Sequence, residues 1–232
     1  MKKTDFLVIL IVVAVLLPFF RFDGVYKGYT DFNAAYPLVL AFLKFAVLAT
    51  FGEMLGLRIK TGKYNAPSYG LLPRLVVWGL FGVWIAIAMG VFSKGIPAYL
   101  DRFTLFNGVK DAMGGGFTGL KLLGAFCISV MMNTAFAPVF MTLHKVTDTH
   151  IISNGGKFSS LFKPIPIGSI LGKLNWQVQW GFVFKKTLPL FWIPAHTLTF
   201  ILPQEFQVLF AAFCSIILGL ILAIAAIMGE KK

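Results

Sequence analysis

The chain has 232 residues, 58% of them apolar and 13% charged, with 21 Lys and Arg against 9 Asp and Glu. A water-soluble domain of this size needs a charged exterior, and here the few charges fall in clusters between long apolar stretches, which excludes an ordinary soluble globule. Basic residues placed between apolar runs fit anchoring at anionic headgroups, so the expected partner is the lipid bilayer and not nucleic acid.

A bilayer core needs on the order of 20 helical residues. The alternation of apolar and polar residues that marks a membrane β-barrel is absent. The expected fold is therefore an all-α membrane protein, a compact bundle of about six transmembrane helices (five to six) with no β-sheet. The predicted spans lie near residues 5–20, 34–57, 74–93, 119–143, 187–203 and 206–228.

The first run, Phe6 to Phe20, follows Lys2 and Lys3 as a signal peptide would. Pro18-Phe19-Phe20-Arg21-Phe22 offers no small-x-small cleavage site, so the run is kept as a span; cleavage would leave five spans and move the N-terminus outside. It is Leu, Ile, Val and Phe all round, which suits the periphery of a bundle. The second span carries Gly52 and Gly56 at four-residue spacing, and the third carries Gly82, Ala86 and Gly90. The fourth has Ser129, Asn133 and Ala137, and the last has Ala211, Ser215, Gly219 and Ala223. Small residues in such stripes let helix backbones approach closely in lipid. Cys127 and Cys214 sit inside apolar segments and read as packing residues, not as a disulfide or a metal site.

The connections are unequal. Residues 94–118 contain the flexible Gly114-Gly115-Gly116 run. The longest connection, from His144 to about Lys186, places Trp176, Trp180 and Phe184 on one helical face. Two readings stay open there: an amphipathic helix lying in the interface, or an early start of the fifth span. Pro203-Gln204-Glu205 makes the last hairpin short, so its two helices are adjacent and antiparallel. No internal repeat of the inverted-transporter kind is present.

Counting basic residues by alternate loops gives twelve on one side (Lys2, Lys3, Arg58, Lys60, Lys63, Arg74, Lys145, Lys157, Lys163, Lys173, Lys231 and Lys232). The other side has six: Arg21, Lys27, Lys94, Arg102, Lys110 and Lys121. Both termini are thus expected on the cytoplasmic or equivalent side.

An ionisable group at mid-bilayer costs roughly 2.5–3.5 kcal/mol on insertion scales, so buried polarity is where function is sought. Glu53 lies late in the second span with Ala46, Ala49 and Gly56 on its face. It reads either as a pore-lining or proton-linked carboxylate, or as a buried acceptor reached by Arg58. Lys44 is expected to snorkel. In the fifth span Trp192, His196 and Thr199 share a face, and Pro189, Pro194 and Pro203 interrupt the backbone ladder. Asn133 and Thr134 are placed to meet that face, as a water-lined path or as a hydrogen-bond network within the bundle. No metal-ligand spacing, phosphate-cradling loop or nucleophile triad occurs, so no enzyme, metal or cofactor is expected. His144, Asp148 and His150 are close in sequence but form no known pattern; a polar cluster around them is what a lipid-acting enzyme would need.

Several motifs in order resemble the Mpv-seventeen family, which includes the peroxisomal membrane protein of twenty-two kilodaltons. Phe51-Gly52-Glu53 is similar to its Gly-Asp element, with Glu in place of Asp. Gly95-Ile96-Pro97 and Leu100-Asp101-Arg102 resemble its helix followed by a Tyr-x-x-Leu-Asp segment. Phe136-Ala137-Pro138 matches its Phe-Ala-Pro element. Phe191-Trp192-Ile193-Pro194, Phe200 and Pro203-x-x-Phe206-Gln207 resemble its Trp-Pro, Asn-Phe and Pro-x-x-Tyr/Phe-Arg signature, with Thr199 in the Asn-like place and Gln207 for Arg.

The resemblance begins near residue 34, so 1–33 would be an added transmembrane helix and loop and 34–232 the family-like helical membrane domain. It implies a channel-like bundle in an organellar or bacterial inner membrane. The expected function is therefore a channel-like integral membrane protein passing ions or small metabolites, with Glu53, Asn133, Thr134, Trp192, His196 and Thr199 on the path. The alternative is a non-transporting scaffold or lipid-binding bundle. A homo-oligomer is left open.

Overall fold

A computed structural model describes the backbone of residues 3–230 and the side chains of residues 3–221; Lys2, Lys231, Lys232 and the side chain of Ala223 lie outside these. Among the described residues the regular elements are helical and no strand occurs, so the fold is an all-α bundle. Five helices are long and apolar enough to cross a membrane: Lys3–Arg21, Pro37–Thr61, Leu71–Leu100, Gly119–Ser153 and Gln204–Ile221. So many apolar helices indicate a membrane location.

The chain divides into two compact units, residues 1–40 and 41–232. In the first, α1 (Lys3–Arg21) and α2 (Asp23–Ala35) pack on each other, with the Phe19 ring edge-on to Tyr29 at 5.7 Å. No residue of α1 is buried. The second unit is built on α3 (Pro37–Thr61, from Ala41 onward), α4 (Leu71–Leu100), α6 (Gly119–Met131), α7 (Ala137–Ser153), α10 (Ile193–Ile201) and α11 (Gln204–Glu230). Short helices α5 (Val109–Gly114), α8 (Ile167–Lys173) and α9 (Trp176–Val178) complete it.

The helix ends follow local chemistry. The Thr118 hydroxyl accepts from the Lys121 amide at 3.1 Å and starts α6. α7 stops where Gly155 and Gly156 both take φ of +68°, which lets the Gly156 amide turn back to the Ile151 carbonyl at 2.9 Å. That stop lies ten residues beyond the predicted end of the fourth span. Val146, His150 and Ile151 keep a buried face going after the apolar run has ended. His144, Asp148 and His150 are therefore helical residues, not loop residues as expected.

Two stretches adopt wider π turns, Met132–Phe136 between α6 and α7, and Gln179–Trp192 between α9 and α10. Pro138 follows the first, Pro189 lies in the second and Pro194 follows it, so missing amides thin the ordinary ladder where the helix widens. Helical turns succeed one another from Trp176 to Ile201 without a break. Trp176, Trp180 and Phe184 are thus continuous with the fifth predicted span, 187–203, which is not among the five helices long and apolar enough to cross a membrane. Only Ile167–Lys173 stands apart as a short helix.

The core of the second unit gathers Phe45, Trp78, Ile85, Met89, Ile128, Met132, Phe200 and Ala212. α10 lies against α6 and α11, and α4 against α6. Ser129 ties α6 to α10, its hydroxyl donating to the Ile193 carbonyl at 2.7 Å. Of the small-residue stripes, Gly82 is the tightest. A Cβ there would stand 2.5 Å from Phe45 Cβ and 2.6 Å from the Ala41 carbonyl. A Cβ on Gly52 would stand 3.0 Å from the Ile216 Cα, and one on Gly219 would stand 3.4 Å from the Gly52 carbonyl, so the α3–α11 contact is glycine-mediated. Ala137 and Ala211 are buried and Ser215 bonds to its own helix at the Ala211 carbonyl, 3.2 Å. Ala86 is half-buried, and Gly90 meets nothing, so the third stripe does not run its full predicted length. Lys44, expected to snorkel, is buried at 7% exposure.

Gly82→Ala forces Phe45 and α3 to move and is expected to destabilise the bundle by about 1–3 kcal/mol, the usual cost of overpacking. Gly90→Ala has open space and serves as the control. Thermal unfolding of the two variants in detergent micelles distinguishes them.

Candidate functional site

One cavity of about 540 Å³ runs into the second unit, and its wall includes Glu53, Asn133, Trp192 and His196. The lining falls in order along each helix. α3 contributes from Lys60 inward to Phe45, α4 from Arg74 to Ile85, and α7 with the π turn before it from Asp148 to Met132. The long π stretch and α10 contribute from Gln179 to His196, and α11 from Gly219 to Ala211. At 1.5 Å per residue the α3 lining alone is roughly 20 Å long, well over half of a hydrocarbon core. Lys60 and Lys145 stand exposed at the outer end. Phe45, Ile85, Met132 and Ala211 floor the inner end and belong to the packed core.

Near the outer end polar groups from three helices and from the turn before α4 converge. Arg74 is 5% exposed, and its Nη1 donates to Glu53 Oε2 at 2.5 Å and also to Asp148 Oδ1. Its Nε donates to the Tyr69 carbonyl at 2.7 Å, and its guanidinium lies over the Tyr69 ring, 4.6 Å from the centroid. His144 Nε2 donates to the other Glu53 oxygen at 3.1 Å, since a carboxylate only accepts. Tyr69 Oη donates to Glu53 at 3.4 Å. Burial first, and then the Glu53 carboxylate, push the Tyr69 phenol above its ordinary value, so it stays a donor. Glu53 of α3, Arg74 of α4, and His144 and Asp148 of α7 are thus held in a single ionic network.

Glu53, His144 and Asp148 offer ligand atoms within 4.8 Å of one another, a set that sequence spacing did not suggest. The guanidinium of Arg74 already bonds both carboxylates. A metal ion bound there would compete with Arg74 for both carboxylates.

Above this network a zipper of rings joins α4 to the opposite helix. Trp78 meets His144 at 4.4 Å, Phe81 meets Phe140 at 5.2 Å, and Trp84 meets Phe136 at 4.8 Å. At the inner end Asn133 Nδ2 donates to the Ser129 carbonyl at 2.9 Å and lies 3.0 Å from His196 Nδ1. The Trp192 ring packs on His196 with centroids 4.9 Å apart.

Sequence and structure agree in part. Glu53, Asn133, Trp192 and His196 share the cavity. Thr134 does not: it is exposed, with its hydroxyl bonded to the Val130 carbonyl at 2.8 Å. Neighbours on a helix point about 100° apart, and Asn133 takes the inward place. Thr199 is fully buried and bonded to the Ala195 carbonyl at 2.9 Å, outside the cavity lining. The cation on Glu53 is Arg74, where Arg58 was expected; Arg58 lies over the Tyr64 ring, 5.7 Å from its centroid. Of the three residues a lipid-acting enzyme would need to cluster, His144 and Asp148 join the network, while His150 pairs through Nε2 with the Ser160 carbonyl at 3.0 Å. Arg74, Tyr69, His144 and Asp148 are the residues that sequence reasoning missed as a group. The ring spacing at 78, 81 and 84 against 136, 140 and 144 was the available signal.

Comparison with protein-family models, with curated proteins and with solved structures finds no match.

Removing the cation from a buried network leaves carboxylates uncompensated, at a typical cost of about 3–5 kcal/mol. Arg74→Met is expected to show a loss of that size, and Glu53→Gln a smaller one because Arg74 keeps Asp148. Chemical unfolding in micelles, followed by tryptophan fluorescence, checks the order.

Proposed function

We propose that the chain is a channel-like integral membrane protein and that the cavity is the vestibule of its path. The observation that carries this reading is the cavity itself, which brings an ionic network and the Asn133–His196 pair into the interior of an apolar bundle. Ionisable side chains inside an apolar bundle are costly, so their gathering along one cavity supports a working site. The resemblance to the Mpv-seventeen family points the same way. In this reading the packed floor at Phe45, Ile85, Met132 and Ala211 is the closed gate, and conduction requires it to part.

A packed floor also favours the second reading, a non-transporting bundle that holds a ligand or lipid. Proteoliposomes decide between them. Met132→Ala and Phe45→Ala widen the floor and are expected to raise solute release above wild type, itself above empty vesicles. If folded wild type and both widened variants release nothing more than empty vesicles do, transport is wrong and holding is right.

The membrane proposed is a bacterial inner membrane or an organellar one, with both termini and the cavity mouth on the cytoplasmic or equivalent side. The basic residues support this placement, since Lys60 and Lys145 flank the cavity mouth and Lys63 and Lys157 lie in the connections that follow their helices. Cysteines replacing Lys60 and Lys157 should react with an impermeant reagent from that side, and one replacing Leu105 from the other. Labelling of all three from the same side overturns the orientation.

A further inference from the structure

The charges along the cavity are spent on one another near its mouth. Arg74 is matched by Glu53 and Asp148, and His144 and Tyr69 complete the set. Inward of these groups no charged side chain lines the wall among the described residues. Phe45, Trp78, Ile85, Met132, Phe136 and Phe140 dominate it instead. An ion drawn inward would lose water and meet no counter-charge, and the same walls suit an apolar molecule.

The inner end is not wholly apolar, and the hydrogen bonds there are incomplete. Asn133 is 1% exposed, and its amide orientation is fixed because only the NH₂ group can donate to the Ser129 carbonyl. The same NH₂ group therefore donates to His196 Nδ1, so the neutral imidazole carries its proton on Nε2. Asn133 Oδ1 and Trp192 Nε1 are both buried without a partner. Native proteins rarely leave such atoms unmet, because each has given up its bonds to water. The residues at this end offer an unmet donor from Trp192 and an unmet acceptor from Asn133, beside the Nε2–H of His196 in the cavity wall.

A hydroxyl is the smallest neutral group that answers both kinds, since its single oxygen accepts and donates. A carboxylate or carbonyl answers only the donors, and an ammonium answers only the acceptor. We propose that the cavity binds an uncharged, largely apolar molecule carrying a hydroxyl group, with that group at Asn133, Trp192 and His196. This rests on the cavity being the working site, and it narrows the solute from ions and metabolites in general to neutral amphiphilic alcohols.

The test uses the full chain in lipid nanodiscs, with 11-bromoundecan-1-ol as probe and bromine quenching of tryptophan fluorescence as readout. Saturable quenching is expected, and 11-bromoundecanoate and 11-bromoundecylammonium should bind at least about ten-fold more weakly, the scale of one or two hydrogen bonds. Trp192→Phe keeps the ring and removes the donor, and should weaken the alcohol by about ten-fold. Asn133→Leu should do the same, and His196→Phe serves if Asn133→Leu does not fold. Equal affinity for the three probes, no saturable quenching, or an unchanged Trp192→Phe affinity overturns the proposal; the inner groups then hold water only. Alcohol binding without solute release from proteoliposomes would sink the transport reading and leave this one standing. Ion release that the alcohol does not block would do the reverse.

Discussion

Arg74 sits where three helices meet, and most of the site depends on how its one positive charge is shared. A guanidinium taken out of water is costly on its own, and so is each carboxylate. Brought together, Glu53 of α3, Arg74 of α4 and Asp148 of α7 neutralise one another, and Tyr69 and His144 fill the remaining bonding directions. The arrangement can exist only at one relative placement of the three helices. A shift along α7 by one turn would separate Asp148 from the cluster. The network therefore sets register in a bundle whose other contacts, apolar against apolar, discriminate poorly between registers.

Close packing and open space are divided along the depth of the second unit. Glycines bring α3 against α4 at Gly82 and against α11 at Gly52, and Ser129 holds α6 to α10. The Gly82 and Ser129 contacts close the inner half around Phe45, Ile128, Met132 and Phe200. Toward the mouth, bulky rings hold the helices apart: Trp78, Phe81 and Trp84 on one side, Phe136, Phe140 and His144 on the other. A π turn at Met132–Phe136 carries Asn133 at the boundary between the two regimes. Such widened turns leave bonding groups free for other uses.

Glu53 was legible from sequence because a carboxylate inside an apolar run is rare and expensive. Asn133 and His196 were legible for a similar reason, and their spacing placed them on faces able to meet. Arg74 was not, because it lies at the edge of its apolar run, where a basic residue normally marks the headgroup zone. His144 and Asp148 were hidden by a helix that outlasts its own hydrophobicity. Once polar residues are satisfied by neighbouring helices, apolar content no longer reports where a helix stops. Thr134 and Thr199 misled because a hydroxyl in a helix can bond to its own backbone four residues back, and then carries no information about a path.

The amino-acid sequence by itself determined that this chain forms an all-α bundle with several apolar helices, roughly where each begins, and which small residues let backbones touch. Those properties are local: they depend on runs of side chains along one helix and on the bilayer-length scale of apolar segments. Tertiary structure alone decided which cation answers Glu53, which of two adjacent polar residues faces inward, and that a cavity separates the ionic network from a packed floor. Each of these depends on the rotation and offset of one helix against another, and residues as far apart as Glu53 and Asp148 carry no mark in the sequence of their meeting.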